Sequence, residues 1–194
     1  MAYPLPFRFS AVLFAGAALL LSACCANNIC DCNDEQEDAI TLRFATGTKP
    51  GRRTFAATDL DTILIQRSPL PYKAATKPET VILINTAAQL SDSVVAVVLN
   101  NNTPFSQVGT ARLSRYRYVV QYLTQLPKSK PVPTTVLVID SVHLKGSLSG
   151  DGCCTCYTNS QKTVYAKRPK RLNPAQDSAF VVDLKQKRYL ELTK

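Results

Sequence analysis

Tyr116-Arg117-Tyr118-Val119-Val120-Gln121-Tyr122-Leu123 is the stretch that decides the fold class. Successive side chains of an extended chain point to opposite faces. Tyr116, Tyr118, Val120 and Tyr122 therefore share one face, and Arg117 and Gln121 lie on the other. Aromatic and β-branched residues suit a pleated, half-buried surface. A tyrosine row of this kind reads as packing, with hydroxyls reaching polar partners, in preference to a strip that stacks on sugars.

The same signal recurs on both sides. Ile40–Ala45 alternates. Thr62–Arg67 is a short apolar run between Asp61 and the Ser68-Pro69 turn signal. Thr80–Asn85 and Ser93–Leu99 are β-branched runs, the second ended by Asn100-Asn101-Asn102-Thr103-Pro104. Thr134–Lys145 is the longest strand candidate, and Thr163–Ala166, Ala179–Leu184 and Arg188–Leu192 complete a set of nine. No stretch carries a long 3.6-residue period with caps, although residues 86–92 read as a helical turn. Nine short strands separated by Pro, Asn and Gly turns predict an all-β fold. An antiparallel β-sandwich of immunoglobulin-like type is expected over residues 40–194 as a single domain. A small β-barrel of the lipocalin kind is the alternative.

The N-terminal end is different in character. Arg8 is the only charged side chain before Asp31, and Phe9–Leu21 is an apolar stretch of signal-peptide length. The run Leu21-Ser22-Ala23-Cys24 resembles the lipobox of bacterial lipoprotein precursors. That resemblance implies that residues 1–23 are a signal peptide, that Cys24 receives diacylglycerol, and that cleavage makes Cys24 the acylated N-terminus (palmitate being a usual acyl group). Two or three acyl chains hold a protein firmly, whereas one binds only marginally. An uncleaved transmembrane helix fits less well, because the stretch to Ala26 barely reaches the ~20 residues a span needs. Lipoprotein sorting further implies the outer membrane, since the residue after Cys24 is not Asp. The acidic stretch that follows resembles signals that carry some lipoproteins to the cell surface. The chain also resembles small envelope lipoproteins with a late C-C-x-C-Y motif, here Cys153–Tyr157, a likeness that supplies no activity.

Charge divides along the chain. Residues 24–39 hold five acids (Asp31, Asp34, Glu35, Glu37, Asp38) and no base, and read as an acidic tether with almost nothing to bury. The whole chain is formally +9, so the body behind the tether is strongly basic. Such a body attracts anionic surfaces, including lipid headgroups and polysaccharides. Lys167-Arg168-Pro169-Lys170-Arg171 is the densest basic cluster, a candidate contact for an anionic envelope polymer or simply an exposed loop. Arg112, Arg115 and Arg117 are more spread. Nucleic acid is not an expected partner outside the cell; another envelope protein is.

Apart from Cys24, six cysteines form two clusters: Cys25, Cys30 and Cys32, then Cys153, Cys154 and Cys156. An even number in an exported chain points to disulfides. Adjacent Cα atoms lie ~3.8 Å apart, below the usual disulfide range, which disfavours a Cys153–Cys154 bridge. Bridges between the clusters are the most useful, but the connectivity stays open. Other readings are a copper or zinc site, a redox-active C-x-C pair, and partly free thiols.

Nothing else assembles into chemistry. His143 is the only histidine, placed by alternation with Leu137, Ile139 and Ser141, and reads as structural. Asp140, Ser141 and His143 cannot meet as a triad, because strand neighbours point to opposite faces. Asp59 and Asp61 are a candidate carboxylate pair on one strand face. No phosphate loop or nucleophile elbow is present. The expectation is a non-enzymatic, membrane-anchored envelope lipoprotein without a cofactor, acting as a binding or assembly component.

Overall fold

The structure is a computed structural model, and it describes residues 30, 32, 34–47, 53–92, 94–106, 108, 110–124, 130–151, 154–169 and 178–194. The leader, Cys24, Cys25, Cys153, Lys170 and Arg171 lie outside the described residues. Nine strands are described: β1 Ile40–Ala45, β2 Thr62–Pro69, β3 Glu79–Ile84, β4 Val94–Leu99, β5 Tyr116–Thr124, β6 Val132–Asp151, β7 Cys154–Arg168, β8 Ser178–Asp183 and β9 Leu190–Leu192. A 3-10 turn at Leu113–Arg115 accompanies them, as do three short α-helices: α1 Asp34–Glu37, α2 Ala57–Leu60 and α3 Ala87–Ser91. The last is the helical turn expected over 86–92, opened by Thr86, whose hydroxyl accepts from the Gln89 N–H. No helix among the described residues is long and apolar enough to cross a membrane.

The strands form two packed sheets, a β-sandwich without a closed barrel. One sheet has the order β4-β1-β9 and the other β3-β2-β5-β6-β7-β8. This division into three and six differs from the four-on-three pattern of constant immunoglobulin domains. Seven of the nine strands pair only in antiparallel fashion, whereas β9 returns to lie parallel to β1, with Leu42 opposite Leu190 and Phe44 opposite Leu192. The β-sandwich expected from the sequence is present and predominantly antiparallel, with one parallel pair where the C-terminal strand comes back beside the first.

Alternation builds the core. Ile40, Leu42 and Phe44 face inward from β1, opposite Leu99, Val97 and Val95 of β4. Ile63 and Ile65 of β2 lie opposite Tyr122 and Val120 of β5, and all are buried with Tyr118. Phe55 packs edge-on against both Phe44 (5.5 Å between ring centroids) and Tyr122 (5.3 Å), joining the two sheets.

A β-bulge and a short helix move two expectations. The register between β6 and β7 slips at Asp140, which has no partner on β7. An extra residue reverses the facing of everything after it. Val142 therefore turns into the core, while His143 points outward, its ring 4.7 Å from that of Tyr165. His143 does not share a face with Leu137 and Ile139. Asp59 lies in α2, so it shares no strand face with Asp61. Its buried carboxylate accepts from the Ala56 N–H at 2.8 Å and pairs with the Lys194 ammonium at 2.7 Å.

Candidate functional site

The β6–β7 hairpin is longer than the sheet that carries it. β5 pairs with β6 only as far as Ile139, and β8 pairs with β7 only from Thr163 onward. The arm between, from about Leu144 round to Lys162, pairs with itself alone. Residues 147–157 are mostly the paired strands at the end of this arm. Leu148 is correspondingly exposed. At Gly146 a Cβ would come within 2.6 Å of the Thr158 carbonyl oxygen and the Tyr157 ring. Glycine is what lets the strands pass there, beside a second slip in register at Ser160.

A two-stranded ribbon is marginally stable alone in water. This arm is held by the acidic N-terminal segment. Cys30 bonds to Cys154 and Cys32 to Cys156, with Cα atoms 5.4 and 5.3 Å apart. The C-x-C spacing on each side places both thiols on one face, so the segment runs beside β7 in the same direction. These inter-cluster bridges are the pairing class expected from the sequence, and a Cys153–Cys154 bridge is excluded by the use of Cys154.

Below the staples, α1 docks on the arm through polar contacts. The Asn159 backbone N–H donates to a Glu37 carboxylate oxygen (2.7 Å), and its side-chain amide donates to the Glu37 carbonyl (2.6 Å) and the Asp38 carboxylate (3.0 Å). Asp38 also accepts from Asn101 (3.2 Å), which in turn accepts from the Leu113 N–H (2.7 Å). The Lys162 ammonium donates to the Gln36 carbonyl at 3.0 Å. Burial lowers the Lys162 pKa from its ordinary value, opposed by Glu37 and Asp38 and reinforced by Lys185. The sequence suggests almost nothing to bury before residue 40, yet Asp38 and Ala39 are buried. The acids at the end of the segment serve as hydrogen-bond acceptors for the arm, so 34–39 is part of the folded body.

No family model, curated protein or solved structure matches this chain. The reading of the site therefore rests on its own geometry.

The two described cations of the basic run point apart. Lys167 and Arg168 are neighbours on β7 and face opposite ways. Lys167 lies 3.4 Å from the Asp140 carboxylate, which also accepts from Arg117 at 3.0 Å. Arg168 instead lies over the Phe180 ring and donates to the Glu191 carbonyl at 2.7 Å. Lys170 and Arg171 are outside the described residues.

Sequence reasoning missed Asn159 and Lys162 as receptors for the N-terminal segment, because polar residues on an exposed arm carry no signal of their partner. Chemically, a disulfide sulfur is not a thiolate, the species that binds soft metals or attacks electrophiles. In this form Cys30, Cys32, Cys154 and Cys156 act as staples.

Proposed function

We propose that this chain is the precursor of a non-enzymatic envelope lipoprotein, anchored by lipid on Cys24 and serving as a binding or assembly component. The observation that carries the reading is the pair of disulfides between the N-terminal segment and the arm. Disulfides persist in oxidising compartments outside the cytosol, and the leader that precedes them has the form of an export signal ending in a lipobox. Cys25 rather than Asp after Cys24 favours the outer membrane.

The staples also shorten the leash. Only five residues lie between Cys24 and Cys30, a span of at most about 20 Å when fully extended. An anchored protein would therefore hold the tip of its β6–β7 arm close to the bilayer.

Cys24→Ala tests the reading. The variant is expected to accumulate as an unprocessed precursor that takes up no radiolabelled fatty acid, while the wild type is cleaved and labelled. Normal labelling and processing of the variant would remove Cys24 as the lipid site.

A further inference from the structure

We propose that the groove between β8 and β9 binds an acidic saccharide chain. Among the described residues the sandwich is open along this side, because β8 is the edge of one sheet and β9 the edge of the other. The opening is a groove of about 520 Å³ lined by Arg168, Phe180, Lys187, Arg188, Tyr189 and Glu191, among others. Three of these are cationic and one is acidic. Among the described residues no carboxylate pairs with Lys187 or Arg188, and both are exposed.

The cations are arranged on fixed supports. Arg168 is oriented by its bond to the Glu191 carbonyl and by the Phe180 ring, 5.2 Å away. Arg43 of β1 lies 4.3 Å over the Tyr189 ring, which still exposes 40% of its surface. The turn that carries Lys187 is tied to Asp183. The Lys187 N–H donates to the Asp183 carbonyl at 3.0 Å and the Lys185 N–H to the Asp183 carboxylate at 2.9 Å. Ligand groups meeting this turn meet a preorganised frame, which reduces the entropy lost on binding.

Guanidinium and ammonium groups select carboxylate or phosphate. Aromatic faces between them suit the apolar C–H face of a sugar ring, as they suit other apolar surfaces. Position separates a polymer from the anchoring membrane's own headgroups. Arg168 is twelve residues along β7 from Cys156, about 40 Å at the rise of a strand. The groove thus sits at the end of the hairpin opposite the stapled tip. This choice of a saccharide over nucleic acid rests on the envelope reading; the basic, aromatic character of the groove does not.

Purified full-length protein in detergent, with its Cys24 lipid checked by mass, is titrated with polygalacturonate, phosphomannan and neutral dextran at fixed salt. Binding to polygalacturonate identifies a carboxylate ligand and binding to phosphomannan a phosphate ligand, with none to dextran in either case. K187Q/R188Q is expected to weaken binding about tenfold or more. Y189A should weaken it about fivefold and Y189F should keep it, as a stacking ring requires. K73Q/K77Q removes the same charge from another exposed segment and should leave affinity unchanged. Equal loss in K73Q/K77Q, no loss in K187Q/R188Q, or binding confined to phosphatidylglycerol vesicles or DNA would overturn the proposal. A lipidated protein that binds no acidic saccharide defeats this inference alone, whereas an unlipidated one that binds through the groove defeats the anchoring alone.

Discussion

Tyr118 adds an alkaline sensitivity to the fold through one buried hydroxyl. It lies on the inner face of β5, and its O–H donates to the Leu113 carbonyl at 3.2 Å. Burial pushes its pKa well above the ordinary 10; Arg67 opposes that rise and Tyr116 adds to it. The folded state therefore holds this proton at pH values where the unfolded chain has lost it. Its contribution is constant below pH ~10 and declines as pH rises beyond. Tyr118→Phe should cost about 1 kcal/mol at neutral pH through the lost hydrogen bond. The gap between wild type and variant should then narrow between pH 9 and 11 in urea unfolding, since Phe has nothing to ionise. A gap that stays constant across that range would show that this hydroxyl does not control the alkaline limb. The inward facing of Tyr118 follows from alternation alone. The neighbouring Arg67 does not yield to such reasoning, since a cation on a core face contradicts its residue type. It is buried because Glu79 accepts from it at 2.7 Å, the Ser106 carbonyl accepts at 2.9 Å, and Phe105 and Tyr116 flank it at 4.5 and 4.4 Å.

At the scale of elements, the joint between α1 and the β6–β7 arm is polar and concentrated on Asn159, which is only 1% exposed. Asn159→Ala would leave the Asp38 carboxylate without one donor and the Glu37 carbonyl without its partner. Burial of groups left unpaired costs about 1–3 kcal/mol, so the variant should unfold at lower urea by that amount. Stability within about 0.5 kcal/mol of wild type, the ordinary range for surface changes, would mean that α1 does not depend on this joint. Little of the joint is legible in the sequence. A four-residue helix such as Asp34–Glu37 is too short to show a period, and the acids around it resemble a solvated tether. The strands themselves are legible because period 2 is a local property, and the runs at Ile40, Thr62, Thr80 and Ser93 reappear in the structure with shifts of a residue or two at their ends. Bulges are not local. The one at Asp140 is set by how β6 fits β7, and it alone reverses His143. The length of the arm was also hidden, because Ser and Gly at 146–150 have low strand propensity and are held extended by pairing and by the disulfides.

Across the whole molecule, the two disulfides enclose nearly the same loop, and this makes their energetics unequal by order of removal. Each joins residues 124 apart, a closure worth about 5 kcal/mol in the chain-entropy model. Once one bridge exists, the other closes a ring of only about six residues, worth about 2 kcal/mol by the same relation. Removing either pair, as C30S/C154S or C32S/C156S, should therefore cost about 2 kcal/mol, and removing both about 7 kcal/mol, more than the sum of the two single losses. Urea unfolding of the three oxidised variants, with peptide mapping to confirm the remaining bridge, measures the set. Single losses of about 5 kcal/mol that simply add would indicate that each bridge restrains the unfolded chain independently. Two losses near zero followed by a large one would indicate that either bridge alone fixes the segment. The cysteine spacing makes a bridge between clusters legible, because C-x-C on both sides offers two thiols per face. Which cysteine takes which partner depends on the direction in which the segment runs beside β7, and that direction is decided where Glu37 and Asp38 meet Asn159, more than a hundred residues away along the chain.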